Sequence, residues 1–288
     1  MIDSKSMDLH VVDSQIHIWH VDHPEATPRH GDKPLRTQDA LAEMNTAGVG
    51  SAVLVPPYWM EFDNSYVLSA AQIHPSRFGV MGRFDITAEP DPDRLLTEFR
   101  KPGMLGFRLH FNNPKMLSFL NDSSGDWFWE AAASANIPIM LFAPGMLDGI
   151  ARVAQSFPDL SLAIDHMGIG RGLRDEDAFT HWPELLELSR FPNVSIKLSS
   201  VPIFSTHSYP YLNLHPYLKS IYAKFGRERL FWGSDLSRLP CSYRLSIDLF
   251  INELPWLSKQ DLRAIMGQSL NNWLDWPFSK PQFLKSTI

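Results

Sequence analysis

Short apolar runs rich in Val, Ile, Leu and Phe alternate with longer stretches of helical periodicity along the whole chain. Residues 9–15 (LHVVDSQ) predict a first strand, and 37–48 (TQDALAEMNTAG) a helix with Thr37 as N-cap and Gly48 as its stop. The same pattern predicts further strands at 51–56, 77–85, 104–110, 137–143, 160–166, 194–200 and 229–235. Helical segments follow them at 64–74, 91–101, 126–136, 144–157, 181–191, 215–226 and 242–254, and a ninth, 259–276, comes last.

The predicted strands are near-continuous apolar runs, as parallel strands covered on both faces should be. Eight strand–helix pairs without a break in composition predict an α/β protein, a (β/α)8 TIM barrel with an extra C-terminal helix, as a single domain over residues 1–288. An open doubly wound sheet would carry a Gly-rich phosphate turn after the first strand, and none is there. No internal repeat, low-complexity stretch or linker interrupts the series.

Composition narrows the picture. The net charge of −6 is mild and no run of like charges occurs, which argues against a nucleic-acid surface or a polybasic membrane anchor. A single cysteine, Cys241, excludes an internal disulfide framework and fits a reducing compartment. Residues 1–10 lack the apolar core of a signal peptide, and no segment approaches 18 apolar residues. The expectation is a cytoplasmic protein with a small-molecule substrate, no nucleic acid and no membrane, with self-association into a homo-oligomer left open.

In a barrel, chemistry sits at the C-terminal ends of the strands. Those ends here carry Asp13, Gln15 and His17 on the first strand, and Arg108 and His110 on the fourth. Asp165 and His166 end the sixth, Lys197 lies on the seventh, and Ser234 and Asp235 end the eighth. Each has an ordinary structural role open to it: Asp13 as acceptor for local amides, Asp235 as a cap, Lys197 as partner of a buried acid, and Trp19, Trp232 and Tyr58 as rim packing. So many charges converging on one rim are nevertheless costly to desolvate, which favours a functional site.

The stretches VVDSQIHIW, GFRLH, IDHMG, IKLSS, FWGSDLSRLP and IMGQSLNNW, in that order, resemble the amidohydrolase superfamily. The similarity is to its amidohydrolase-2 branch of TIM-barrel hydrolases, which includes 2-pyrone-4,6-dicarboxylate lactonases and L-fuconolactonase-like enzymes. Metal-binding members of that family use a His-x-His pair on strand one, a histidine at the end of strand five and the strand-eight aspartate. This chain departs twice: Gln15 stands in place of the first histidine, and Phe142 or Ala143 in place of the strand-five histidine. The resemblance with these departures implies no cofactor; a single divalent ion such as zinc, held by His17, His166 and Asp235, stays open.

By the same resemblance Asp235 is the general base that activates water, with His17, His166 and Arg108 polarising the carbonyl. Gln15 can add an amide donor. Arg108 can instead grip a substrate carboxylate, and Arg171 and Arg238 are placed to do so too. Trp19, Tyr58, His110 and Lys197 complete the expected substrate-binding set, and Trp59, Trp127 and Trp129 hint at a cyclic or aromatic substrate. The expected function is hydrolysis of a small cyclic ester or related carbonyl compound. The alternatives are a metal-dependent decarboxylase of an aromatic or unsaturated acid and a non-catalytic ligand-binding barrel.

Overall fold

In the computed structural model the described residues are 9–22, 33–111 and 114–276. Both ends of the predicted domain, including the N-terminal segment read for a signal, lie outside them. Eight parallel strands follow one another around the sheet in chain order: β1 Val11–Ile16, β2 Val49–Leu54, β3 Phe78–Gly82, β4 Met104–His110, β5 Ile139–Phe142, β6 Leu162–Ile164, β7 Val194–Ser199 and β8 Leu230–Gly233. The predicted TIM barrel is what forms. Between the strands run α1 Thr37–Ala47, α2 Ser65–Ile73, α3 Pro92–Phe99, α4 Pro114–Asn121, α5 Asp126–Ser134, α6 Leu147–Ser156, α7 Asp175–Ala178, α8 Trp182–Glu187 and α9 His215–Phe225, with α10 Tyr243–Glu253 after β8. Helix α4 has no counterpart among the predicted elements. Thr37 is the first helical residue rather than the cap; Arg36 occupies the cap position, and its backbone N–H donates to the Asp39 carboxylate.

The expected C-terminal helix is present in two pieces, α11 Lys259–Arg263 and α12 Ser269–Trp273, joined by a π turn over Ala264–Gln268. A Cβ at Gly267 in that turn would press on the His10 carbonyl oxygen and the Val12 side chain, so only glycine lets the turn lie this close to β1. Leu270 and Leu274 of this segment pack with Val12, Val53, Met81, Met140, Ala163 and Phe231 to fill the lower barrel. A layer higher the lumen becomes ionic, with Arg108, Asp165 and Lys197 all buried.

The sheet is nearly closed where β8 returns beside β1. The Asp235 backbone N–H donates to the Gln15 carbonyl at 3.0 Å. Next to it Asp13 acts as a clamp. Its carboxylate accepts from the backbone N–H groups of Gln15 and Ser234, both at 2.9 Å, from the Ser234 hydroxyl, and from Tyr243 of α10 at 2.6 Å. A Cβ at Gly233 would collide with the Ser14 hydroxyl, so glycine is what allows the two strands to approach here. Asp13 reaches outward to α10, yet Gln15, two residues on, faces the lumen. Strict alternation forbids that pairing, and a register shift between Asp13 and Ile16 supplies the extra residue.

Burial pushes the Asp13 carboxyl up to about 6, against the pull of the hydrogen bonds it accepts. Its two backbone partners can only donate, so the seam requires an acceptor oxygen facing them. Asp13→Ala should therefore lower stability by roughly 2 kcal/mol or more, because the Gln15 and Ser234 N–H groups lose their shared acceptor in a buried site. Urea unfolding at neutral pH checks this; unchanged stability would show that the clamp is dispensable for closing the barrel.

Candidate active site

A cavity of about 580 Å³ opens at the C-terminal end of the barrel. Gln15, His17, Tyr58, Arg108, His166, Arg171, Asp235 and Arg238 all line it, so residues from β1, β4, β6 and β8 do meet in one place. Three residues expected at the rim lie elsewhere. Trp19 is buried edge-to-face against Trp59 in the outer core, where its large apolar ring is excluded from water. His110 is stacked under Phe142 at 4.8 Å and beside Tyr58 at 6.0 Å. Burial, then the charges of Arg108, Arg171 and Arg83, hold His110 down to about 2, so it is neutral. Lys197 is wholly buried below the cavity floor. Of the expected aromatic cover, Trp59 lines the cavity, whereas Trp127 and Trp129 pack within the helical layer.

Asp235 is 2 % exposed. Its Oδ2 accepts from Ser200 at 2.9 Å and lies 3.8 Å from Arg238 Nε and 4.0 Å from His166 Nε2. Its Oδ1 lies 3.3 Å from His17 Nε2. Burial would raise this carboxyl, but the hydrogen bond and charge of His17 and the charge of His166, each in its protonated form, and then the Arg238 guanidinium hold it well below the usual carboxylate range. It is an anion at every pH of interest.

The imidazoles are oriented from behind. His17 Nδ1–H donates to the Val55 carbonyl at 2.7 Å, which turns Nε2 into the cavity. His166 Nδ1 lies 2.7 Å from the Ser199 hydroxyl and 3.3 Å from that of Ser200. Burial dominates at His166 and brings it to about 4, so it too is neutral near pH 7. Ser200, within the motif IKLSS, was given no role by the sequence; its hydroxyl joins the histidine of β6 to the aspartate of β8.

The strand ends are strained where these groups sit. His166 (φ 51°), Ser200 (φ 61°) and Asp235 (φ 54°) all adopt the left-handed conformation that favours glycine. Each such residue costs on the order of 1 kcal/mol, and strain of this kind gathers at functional sites. A strand ending in glycine would relax the backbone and lose the side chain.

Cations dominate the rim. Arg108 donates Nε–H to Asp165 at 2.7 Å and lies over the Phe142 ring at 5.3 Å. Arg171 lies over Tyr58 at 5.3 Å and over Phe142 at 5.9 Å. Arg174, which sequence reasoning missed, lines the same wall. Their loop is tied across the mouth by Asp175, which accepts from the Thr206 backbone and hydroxyl and from Asn213. Asp235 is the one carboxylate among the lining residues, so the cavity suits an anion.

Two positions of the family's metal-binding pattern offer a divalent ion no ligand in this chain. The Gln15 carbonyl oxygen is taken by Lys197, so its amide N–H₂ points toward His17 Nε2 and presents protons rather than a lone pair. Phe142, at the end of β5, offers a ring and no donor atom. Among the described residues no group of three or more His, Cys, Asp and Glu side chains has the arrangement of a metal site.

Comparison with known proteins agrees with this architecture. A family model described as amidohydrolase matches residues 10–282. An L-fucono-1,5-lactonase from Burkholderia ambifaria is 26% identical over 249 residues, covering 79% of this chain and 81% of its own. A zinc-bound amidohydrolase from Burkholderia multivorans superposes with a TM-score of 0.78 at 20% identity, over 93% of this chain and 100% of its own. A Pseudomonas putida protein named for 2-pyrone-4,6-dicarboxylic acid hydrolysis superposes with a TM-score of 0.71 at 24% identity, over 94% of this chain and 99% of its own. With the barrel, the strand-end residues and a family match over nearly the entire length in agreement, the chain belongs to the amidohydrolase family.

Proposed function

We propose that the protein hydrolyses a small lactone bearing a carboxylate, in the cytoplasm and without a metal ion. The observation that carries this reading is the Asp235 carboxylate, ionised and buried at the cavity floor, with Oδ1 beside the Nε2 of His17 and four arginines along the walls above. The lactonase relative and the pyrone-hydrolase neighbour support the reaction class. The arginines support the charge of the substrate.

In the mechanism, Arg171, Arg174 and Arg238 hold the substrate carboxylate through charge-assisted hydrogen bonds. The lactone carbonyl points toward His166 and Arg108, whose N–H groups stabilise the oxyanion as it forms. A water over the carbonyl gives its proton to Asp235 and its oxygen to the carbonyl carbon. The proton passes to His17 Nε2, 3.3 Å away, where the imidazolium remains hydrogen-bonded to the carboxylate. Collapse of the tetrahedral intermediate breaks the ring C–O bond, and the leaving alkoxide or enolate takes the proton back. Water and lactone thus give one hydroxy acid or its keto tautomer. A good leaving group makes this reaction feasible without metal polarisation of the carbonyl.

Three outcomes are expected from a panel of sugar lactones, muconolactones and pyrones, with and without carboxylates. Asp235→Asn should lower kcat about 10²- to 10⁴-fold while substrate affinity persists; turnover equal to the parent's would remove Asp235 from the mechanism. Incubation with a chelator should leave the rate unchanged. A rate lost to the chelator and restored by zinc or manganese would instead show a metal-dependent hydrolase. In the same panel Arg238→Ala should raise KM roughly tenfold or more for carboxylate-bearing lactones, the size of one charge-assisted hydrogen bond, and should leave neutral lactones unaffected. Equal effects on both sets would mean that the arginine does not read charge.

A further inference from the structure

The cavity wall changes character around the barrel. Arg171 leans over Tyr58 and Phe142, toward the ends of β2 and β5, and Arg108 stands on β4 between them. The loops after β7 and β8 face the cavity with hydrocarbon instead. Ile203 and Phe204 follow β7, and Leu239 and Pro240 follow β8, all four lining the cavity. Strands β6, β7 and β8 are neighbours in the sheet, so Ile169 and Leu173 of the loop after β6 extend the same apolar face. Ile169, Phe204 and Leu239 are buried, whereas Leu173 is 42 % exposed and Pro240 is exposed, so the face runs from the interior out to solvent. Two serines interrupt it. Ser200 donates to Asp235 at 2.9 Å, and Ser237 has no exposed surface.

Side-chain acceptors for substrate hydroxyls are scarce in the entire lining. Asp235 is its one carboxylate, and Oδ2 already accepts from Ser200. Gln15 is its one amide, and the amide oxygen is taken by Lys197. Each ring hydroxyl of a polyol must donate as well as accept, and a donor left unpaired away from water costs free energy. At about 580 Å³ the cavity falls within the range of roughly 300–1,000 Å³ typical of sites that enclose drug-sized ligands, which leaves room beyond one small ring.

We propose that the substrate carries, besides its carboxylate, an alkyl substituent that lies along Ile203, Phe204 and Leu239, and that polyhydroxylated lactones are poor substrates. The lactone ring in this statement rests on the reading above; the apolar subsite does not. Laying an alkyl arm on this face removes hydrocarbon of both partners from water, and its length sets the gain.

The test uses ligands that cannot react before it uses lactones. Calorimetric titration with butanoate, hexanoate and octanoate should show affinity rising roughly three- to fourfold per added methylene. Ile203→Asn places an amide at a half-buried position of the apolar face and should flatten that rise; Leu239→Ala should reduce it. If neither variant folds, the parent series decides alone. Affinity that ignores chain length in the parent, or the parent's slope in both folded variants, would overturn the proposal. Among carboxylate-bearing lactones, a propyl substituent in place of hydrogen should raise kcat/KM about tenfold or more, and Ile203→Asn should cancel the gain. Sugar lactones turned over faster than the propyl compound would also overturn the proposal. Length-dependent binding with no lactone hydrolysed would sink the lactonase reading and leave the apolar subsite standing. Lactone hydrolysis indifferent to the substituent would do the reverse.

Discussion

The site depends on one wholly buried carboxylate. Asp165 accepts Arg108 on one oxygen and Lys197 on the other, at 2.7 and 2.8 Å, with no exposed surface on the acid or the lysine. Burial works to raise its carboxyl, but the two cations and His166 prevail and keep it well below the usual range. Replacing such a group by well-packed apolar residues is often neutral or favourable for stability, so the ionic layer is poorly explained as a source of stability. It is better explained by orientation. Two cations share one acid, and the surplus positive charge directs dipoles above it: the Gln15 oxygen points down to Lys197 and its N–H₂ up toward His17.

The same charge count governs what the cavity can hold. Asp235, the acid at the cavity floor, offsets the surplus from below and faces Arg238 and the histidines. Arg171, Arg174 and Arg238 line a cavity with one lining carboxylate, Asp235, and partly apolar walls that include Phe142, Ile169 and Phe204. Under the proposed function a substrate carboxylate completes the balance. The stacking of Phe142 on His110, with Arg108 and Arg171 over the ring, explains why an aromatic side chain can stand at the end of β5. It organises guanidinium groups by their faces and leaves their edges for a planar anion.

Much of the architecture was legible in the sequence because it rests on periodicity, which a chain displays openly. The strands were placed to within a few residues, and the strand-end position of His17, Arg108, His166 and Asp235 predicted their convergence. What escaped was set by register and rotamer. The bulge after Asp13 decides that Asp13 faces α10 and Gln15 the lumen, and nothing in VVDSQIHIW announces it. Trp19, His110 and Lys197 carry chemistry suited to a rim, yet their side chains end in the core, a stacked layer and the floor. Ser200 stood next to a recognised strand and escaped because its importance lies in a left-handed backbone and one hydrogen bond to Asp235. Arg174 was hidden in a charged loop whose course is set by a distant anchor, Asp175 on Thr206 and Asn213.

The two departures from the family's metal-binding pattern are physically connected rather than independent losses. A histidine at position 15 would have to share space with the Lys197 ammonium, and a divalent ion there would meet that charge and Arg108 across a low-dielectric floor, where like charges repel strongly. Gln15 resolves the conflict by accepting from the lysine and donating to the histidine. Phe142 offers no donor atom at the end of β5, and its ring serves the arginines instead. Under the proposed mechanism the carbonyl loses a Lewis acid and gains fixed N–H donors from His166 and Arg108, which suffice for a lactone with a stabilised leaving group. An amide, whose leaving group is far more basic, would place a demand on this site that its residues do not meet.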